Sequence, residues 1–173
     1  MAQISRFWGG TVTGDCGPYS ADEFAKVFFS MMQDGNPAVN FVAPKYLNQL
    51  AVSGAGSPFT MATGAALVAG IWYENTSAIT NITIANTSSN TRIDTVILRA
   101  SWTTQTVRQA VLTGTQSASP VAVTLTQTVG TTYEVAVAHL TMGTAGLVSL
   151  ADARGYAQMA GMGKPIIASI ILG

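Results

Sequence analysis

Charge is what this sequence has least of. Its 173 residues carry eight Lys+Arg and eight Asp+Glu, 9% of the chain, with a formal net charge of zero; an ordinary soluble domain is about 25% charged. So neutral a surface offers no electrostatic footprint for nucleic acid or for an anionic membrane. Histidine and cysteine are scarcer still, with one of each. A single cysteine, Cys16, excludes an intrachain disulfide and a cysteine-rich zinc site. A single histidine, His139, excludes a two-histidine metal centre within one chain, and no cofactor or metal is expected. The longest apolar runs, Gly64 to Trp72 and Ile166 to Leu172, fall far short of the ~20 residues a membrane helix requires. The first residues, MAQISRFWGGTVTG, hold no continuous hydrophobic run, so no secretory signal is expected and synthesis in the cytoplasm fits. No repeat at 20–50 residues is present, which excludes a solenoid or propeller.

What the chain has is apolar and β-forming residues. It is 48% hydrophobic, with a mean hydropathy of +0.34, too apolar for disorder. Near-zero net charge also removes colloidal repulsion and favours association. The first 19 residues are glycine-rich and read as an arm. The following SADEFAKVFFSMMQDG opens on a capping box, Ser20 and Glu23. Phe24, Val27, Phe28, Met31 and Met32 then fall at i, i+3, i+4, i+7 and i+8, a single apolar stripe. Gly35 and Pro37 end it, so the spacing predicts one amphipathic helix.

Beyond it the hydrophobic period changes from 3.6 to 2, and Ser and Thr together make up 35 of the 173 residues. Strands are predicted near Asn48–Val52, Phe59–Met61, Ala65–Glu74, Ala78–Ile84, Asp94–Thr103, Thr106–Leu112, Val121–Leu125, Tyr133–Leu140 and Leu147–Leu150. A hairpin is expected to close around Thr103–Thr106. The predicted fold is mainly β: an N-terminal arm and one amphipathic helix (1–40), a mostly antiparallel, sandwich-like β-domain (41–160), and an apolar C-terminal strand or arm (161–173). In that last segment Ile166 and Ile167 either complete this domain's own sheet or pack between subunits.

Few residues are candidates for chemistry. The eight carboxylates are scattered, and the only adjacent pair, Asp22–Glu23, serves the helix start. Phosphate-loop, HExxH, GxSxG and EF-hand patterns are absent. His139 reads as a structural histidine on the face opposite Val137 or at a strand end. Sequons at Asn75, Asn81 and Asn86 read as chance matches in so Thr- and Asn-rich a chain. Trp8, Trp72 and Tyr73 read as core or interface anchors; a carbohydrate-binding module would need an exposed Trp/Tyr platform ringed with polar groups. Trp102 and Arg108, on the two arms of the hairpin, are spaced for a cation–π pair, and Arg99 reads as lying over the sheet. Two mirrored pairs stand out, Arg92/Asp94 and Asp152/Arg154, each with opposite charges on one face of a strand. Either each pair orders its own loop, or an antiparallel approach joins Arg92 to Asp152 and Asp94 to Arg154 in a four-charge network.

These phrases together resemble the N-terminal attachment domain of structural proteins in tailed-bacteriophage virions, of the baseplate, tail-fibre and receptor-binding type. The resemblance runs over residues 9–156. An early Gly14, Asp15 and Gly17 precede the ADEFAKVFF helix, and a GAALVAGIWYEN strand follows the short strand Leu50 to Val52. Arg92-Ile93-Asp94 leads into VILR with Arg99, Arg108 stands on the return strand, and YEVAVAHLTM leads to LADARGYA. The resemblance implies a non-enzymatic virion scaffold that assembles as a symmetric oligomer, often a trimer, with itself and other virion proteins as its partners. A chain that stops at Gly173, without a shaft and host-binding head, implies an adaptor, fibre-attachment or decorating role in the tail or baseplate. A capsid decoration or head-fibre protein is the alternative. Phe24, Phe28, Met31, Met32, Arg92, Asp94, Asp152, Arg154, Ile166 and Ile167 are the expected structural and assembly residues.

Overall fold

The two longest strands, each with buried side chains on both faces, pair with each other inside the largest sheet. The structure, a computed structural model, describes residues 40–82, 86 and 88–156. Strands run in the order β1 Phe41–Val42, β2 Val52–Ser53, β3 Phe59–Met61, β4 Gly64–Val68, β5 Ile71–Asn75, β6 Ile79–Ile82, β7 Arg92–Ser101, β8 Thr106–Leu112, β9 Gln127–Thr128, β10 Thr132–Gly143 and β11 Gly146–Asp152. All strand pairing is antiparallel, in one five-stranded sheet (β11-β10-β7-β8, with β9 beside β10) and two three-stranded sheets, β1-β4-β5 and β2-β3-β6. The described residues are therefore mainly β, as the alternation predicts. The expected helix and its stripe Phe24, Phe28, Met31 and Met32 lie outside them, as do Ile166 and Ile167.

β7 and β10 form the spine, paired from Ser101–Thr132 to Arg92–Met142. One face of β7 presents Val96, Leu98 and Ala100, which meet Tyr133, Ala138, Leu140 and Met142 of β10 and Val107 of β8 in the main core cluster. The same cluster takes Val42 of β1, Ala66 and Val68 of β4, Tyr73 of β5, and Phe59 and Met61 of β3. Each fully buried aliphatic or aromatic side chain there contributes roughly 1.5–3 kcal/mol. On the opposite face of β7, Thr95 and Ile97 are also fully buried. The hairpin β7–β8 closes after Ser101–Thr106, at the place predicted.

Three sequence expectations are corrected. The apolar run 65–74 is not one strand: Val68 pairs with Ile71, and Ala69 and Gly70 both have positive φ (48° and 76°). That is a two-residue hairpin whose twist matches the strands; Gly70 was its signal, masked by unbroken hydrophobicity. Segment 48–50 is turn rather than strand, with left-handed φ at Gln49 and Leu50. Its apolar residues are anchors: Leu50 is fully buried in the core cluster. Val121–Leu125 carries no ladder. Its ends are held instead: Ser117 bridges Thr91, and Thr126 exchanges backbone and side-chain hydrogen bonds with Glu134. The connection thus runs from the foot of β7 to the head of β10. In β10 itself Val137 is an extra residue between the pairs Ala136–Ile97 and Ala138–Val96. Alternation restarts after this bulge, leaving His139 half-buried between the buried Ala138 and Leu140.

Candidate functional site

The charged side chains in the described residues are almost all turned toward one another. Of the four carboxylates there, Asp94, Glu134 and Asp152 each pair with an arginine, and Glu74 accepts from the Tyr46 hydroxyl. Asp94 is fully buried on the core-facing side of β7. Arg92 Nε donates to both its oxygens at 2.9 and 3.0 Å, and Gly114 N–H donates to Oδ1 at 2.7 Å. Residues i and i+2 of a strand share a face, so the pair closes within one strand. Asp152 accepts Arg154 Nε and Nη2 at 2.8 and 2.6 Å, which holds its carboxyl below the usual carboxylate range and raises the arginine in turn. Arg154 Nη1 continues to the Gln49 carbonyl at 2.7 Å, and its guanidinium lies 5.5 Å from the centre of the Tyr156 ring.

The four-charge network is therefore not formed. β7 and β11 flank β10 on opposite sides, with Leu140 standing between Asp94 and Leu150 and Ala138 beside Asp152. Strands two positions apart are about 9.6 Å distant, and Arg92 and Asp152 are further offset along β10, opposite Met142 and Ala138 respectively, so each Arg/Asp pair orders its own segment. The cross-strand pair that does form escaped the sequence reading. Arg99 lies opposite Glu134, with Nε to Oε1 at 2.7 Å. Its signal, two opposite charges at registered positions, becomes visible only once the register is known. Arg108 turns a guanidinium nitrogen to the Val107 carbonyl. His139 Nδ1 meets the Thr95 hydroxyl, its cross-strand partner, at 3.1 Å, which is a structural placement.

Asn86 was also missed. Its Nδ2 donates to the carbonyls of Met142 and Asn90 at 2.8 and 3.0 Å, while Oδ1 accepts from Ser88 N–H and Gln116 Nε2. One buried amide thereby ties two connections to the foot of β10. Asn75 similarly gives its Nδ2 to the Ala62 carbonyl. Among the described residues, no buried side-chain nitrogen or oxygen lacks a partner, and no three His, Cys, Asp or Glu side chains gather as metal ligands.

One surface cluster combines exposure with order. Trp72 and Glu74 share the side of β5 opposite the buried Tyr73. Trp72 is 51% exposed and Tyr46 40%. Their ring centres are 6.4 Å apart with planes inclined at 66°, an edge-on contact, and the Tyr46 hydroxyl donates to Glu74 Oε1 at 2.5 Å. That bond to a carboxylate raises the phenol above its ordinary range. Burial raises Tyr73 in the same direction for the different reason that it penalises the phenolate. Of the tryptophan and tyrosine anchors expected from sequence, Tyr73 is core, Trp72 stands open, and Trp8 lies outside the described residues. The comparisons with family models, with curated proteins and with solved structures find no match.

Proposed function

We propose that this chain is a non-enzymatic structural component of a bacteriophage virion, assembling as a homotrimer or higher symmetric oligomer in the tail or baseplate as an adaptor or fibre-attachment module. The observation that carries the reading is the disposition of charge. Three arginines neutralise three of the four described carboxylates within the fold, while large apolar side chains such as Val121, Val129, Val148 and Leu47 stand exposed. Such a surface neither repels copies of itself nor steers a charged ligand, and obligate interfaces are apolar. The order of phrases from Gly14 to Arg154 that resembles phage attachment domains supports the same reading. It carries a finer architecture: a sandwich-like β-domain preceded by an arm and one amphipathic helix. The stripe Phe24, Phe28, Met31 and Met32, with Ile166 and Ile167, then packs within or between subunits. Partners are other copies and other virion proteins, and the place of action is the virion. Size-exclusion chromatography with light scattering tests it: the expected species contains three or more chains of 17.9 kDa, and a monomer persisting at high concentration overturns it.

A further inference from the structure

We propose that Trp72, Tyr46 and Glu74 form a binding site for a neutral pyranoside, the indole stacking on the C–H face of one sugar ring and the carboxylate accepting from its hydroxyls. A half-open indole is an apolar surface of about the area of one sugar ring, and aromatic side chains carry such contacts at little conformational cost. The polar groups that a sugar needs stand around it. Glu74 lies two residues along the same face of β5, and because Tyr46 occupies Oε1, the second oxygen has capacity for a ligand hydroxyl.

The loop that presents Tyr46 is held in an unusual backbone. Lys45 and Leu47, on either side of it, have φ of 58° and 49°, as do Gln49 and Leu50 at 54° and 55°. Left-handed conformations are costly for a residue with a side chain, and they persist where surrounding contacts over-determine them, commonly at ligand clamps. Those contacts are present. Asn48 and Leu50 donate their N–H groups to the Thr63 carbonyl at 3.0 and 3.1 Å, Asn48 Nδ2 reaches Thr63 Oγ1 at 2.8 Å, and Arg154 holds the Gln49 carbonyl. Tyr46 is thus positioned before any ligand arrives, which lowers the ordering cost of binding. The mixture of one aromatic face, one phenol and one carboxylate is too small and too polar for a self-association patch, and a carboxylate at the rim disfavours an anionic sugar. The site is independent of the assembly reading, since it needs only residues of one chain.

The test is a titration of the full chain with cellotetraose, chitotetraose and β-galactotetraose, followed by calorimetry and by ligand-observed NMR. Saturable binding of at least one of them is expected, weakened by at least about tenfold in Trp72→Ala and by about three- to tenfold in Glu74→Gln and Tyr46→Phe (~0.6–1.4 kcal/mol). All three side chains are exposed, so thermal melting of the variants should stay near wild type, and a variant that has lost its melt is replaced by Trp72→Phe, which keeps a smaller ring. No binding of any of the three sugars overturns the proposal, as does binding that Trp72→Ala leaves unchanged. Tetramethylammonium binding in place of the sugars overturns it in favour of a cation cage. Loss of oligomers in Trp72→Ala without sugar binding overturns it in favour of a contact between copies.

Discussion

Asp94 is the most enclosed charge in the described fold, and its neighbours define what each substitution removes. Asp94→Ala strands the Arg92 guanidinium in a nearly closed site and frees the Gly114 N–H. Removing one partner of a buried ion pair costs about 3–5 kcal/mol, so urea denaturation should show a loss in that range. Asp94→Asn keeps an acceptor for Gly114 and should lose less. Gly114 is small for a reason of space: a Cβ there would lie 2.1 Å from the Ile93 carbonyl oxygen, and backbone cannot yield as a flexible side chain does. Gly114→Ala should therefore cost about 1–3 kcal/mol, and part of that loss should persist in an Asp94→Asn background, where the charge is already gone. The Arg92/Asp94 spacing was legible in the sequence as a same-face pair. That its third partner would be an amide 20 residues away was not, because only the return of β8 beside β7 brings Gly114 there.

At the scale of elements, strands with an uninterrupted alternating pattern and turn residues at both ends were read closely: β3 and β8 were placed to the residue. The missed reversal has a plain cause. Where apolar residues run without a break, periodicity does not say whether the chain continues or reverses, and the β4–β5 turn hid inside GAALVAGIWYEN. Gly70 takes φ 76° there, so Gly70→Ala should destabilise by about 1–2 kcal/mol, measured as a shift in the denaturation midpoint. The connection 113–126 shows the converse. It reads as strand at Val121–Leu125 yet has no ladder, and it is fastened at its ends, by Gly114, Gln116 and Ser117 at one and by Glu134 at the other. The Glu134 carboxylate accepts from Arg99 Nε and from Thr126 N–H at 2.8 Å. Glu134→Ala should cost about 1–3 kcal/mol and, in hydrogen exchange, should deprotect the Thr126 amide far more than amides at the centre of β7.

Across the described molecule, the segment after β11 is tied to the loop that carries Tyr46 and to β1. Asp152 holds Arg154, Arg154 holds the Gln49 carbonyl, and Gly155 accepts the Val42 N–H at 2.7 Å. Because the Asp152 carboxyl is held below its unfolded range, its contribution to stability is complete above the ordinary carboxylate pKa and is lost as pH falls through the lowered folded value. The Asp152 side chain is half open to water, and solvent-screened pairs are worth little, so the effect is small. An acid titration of thermal stability should descend more steeply in the native chain than in Asp152→Asn, with the two curves meeting at the lowest pH.

Sequence alone determined that the chain is neutral, that charge is scarce, that the described residues are mainly antiparallel β, and which same-face pairs exist, because composition and a period of two residues are local properties. Tertiary structure alone decided which strands are neighbours. It set β10 between β7 and β11, which separated the mirrored Arg/Asp pairs, and it brought Arg99 to Glu134. It also turned one of two adjacent aromatics, Tyr73, into the core and its neighbour Trp72 into the open. Pairing partners and burial depend on register and on the packing of distant segments, and no local pattern encodes them.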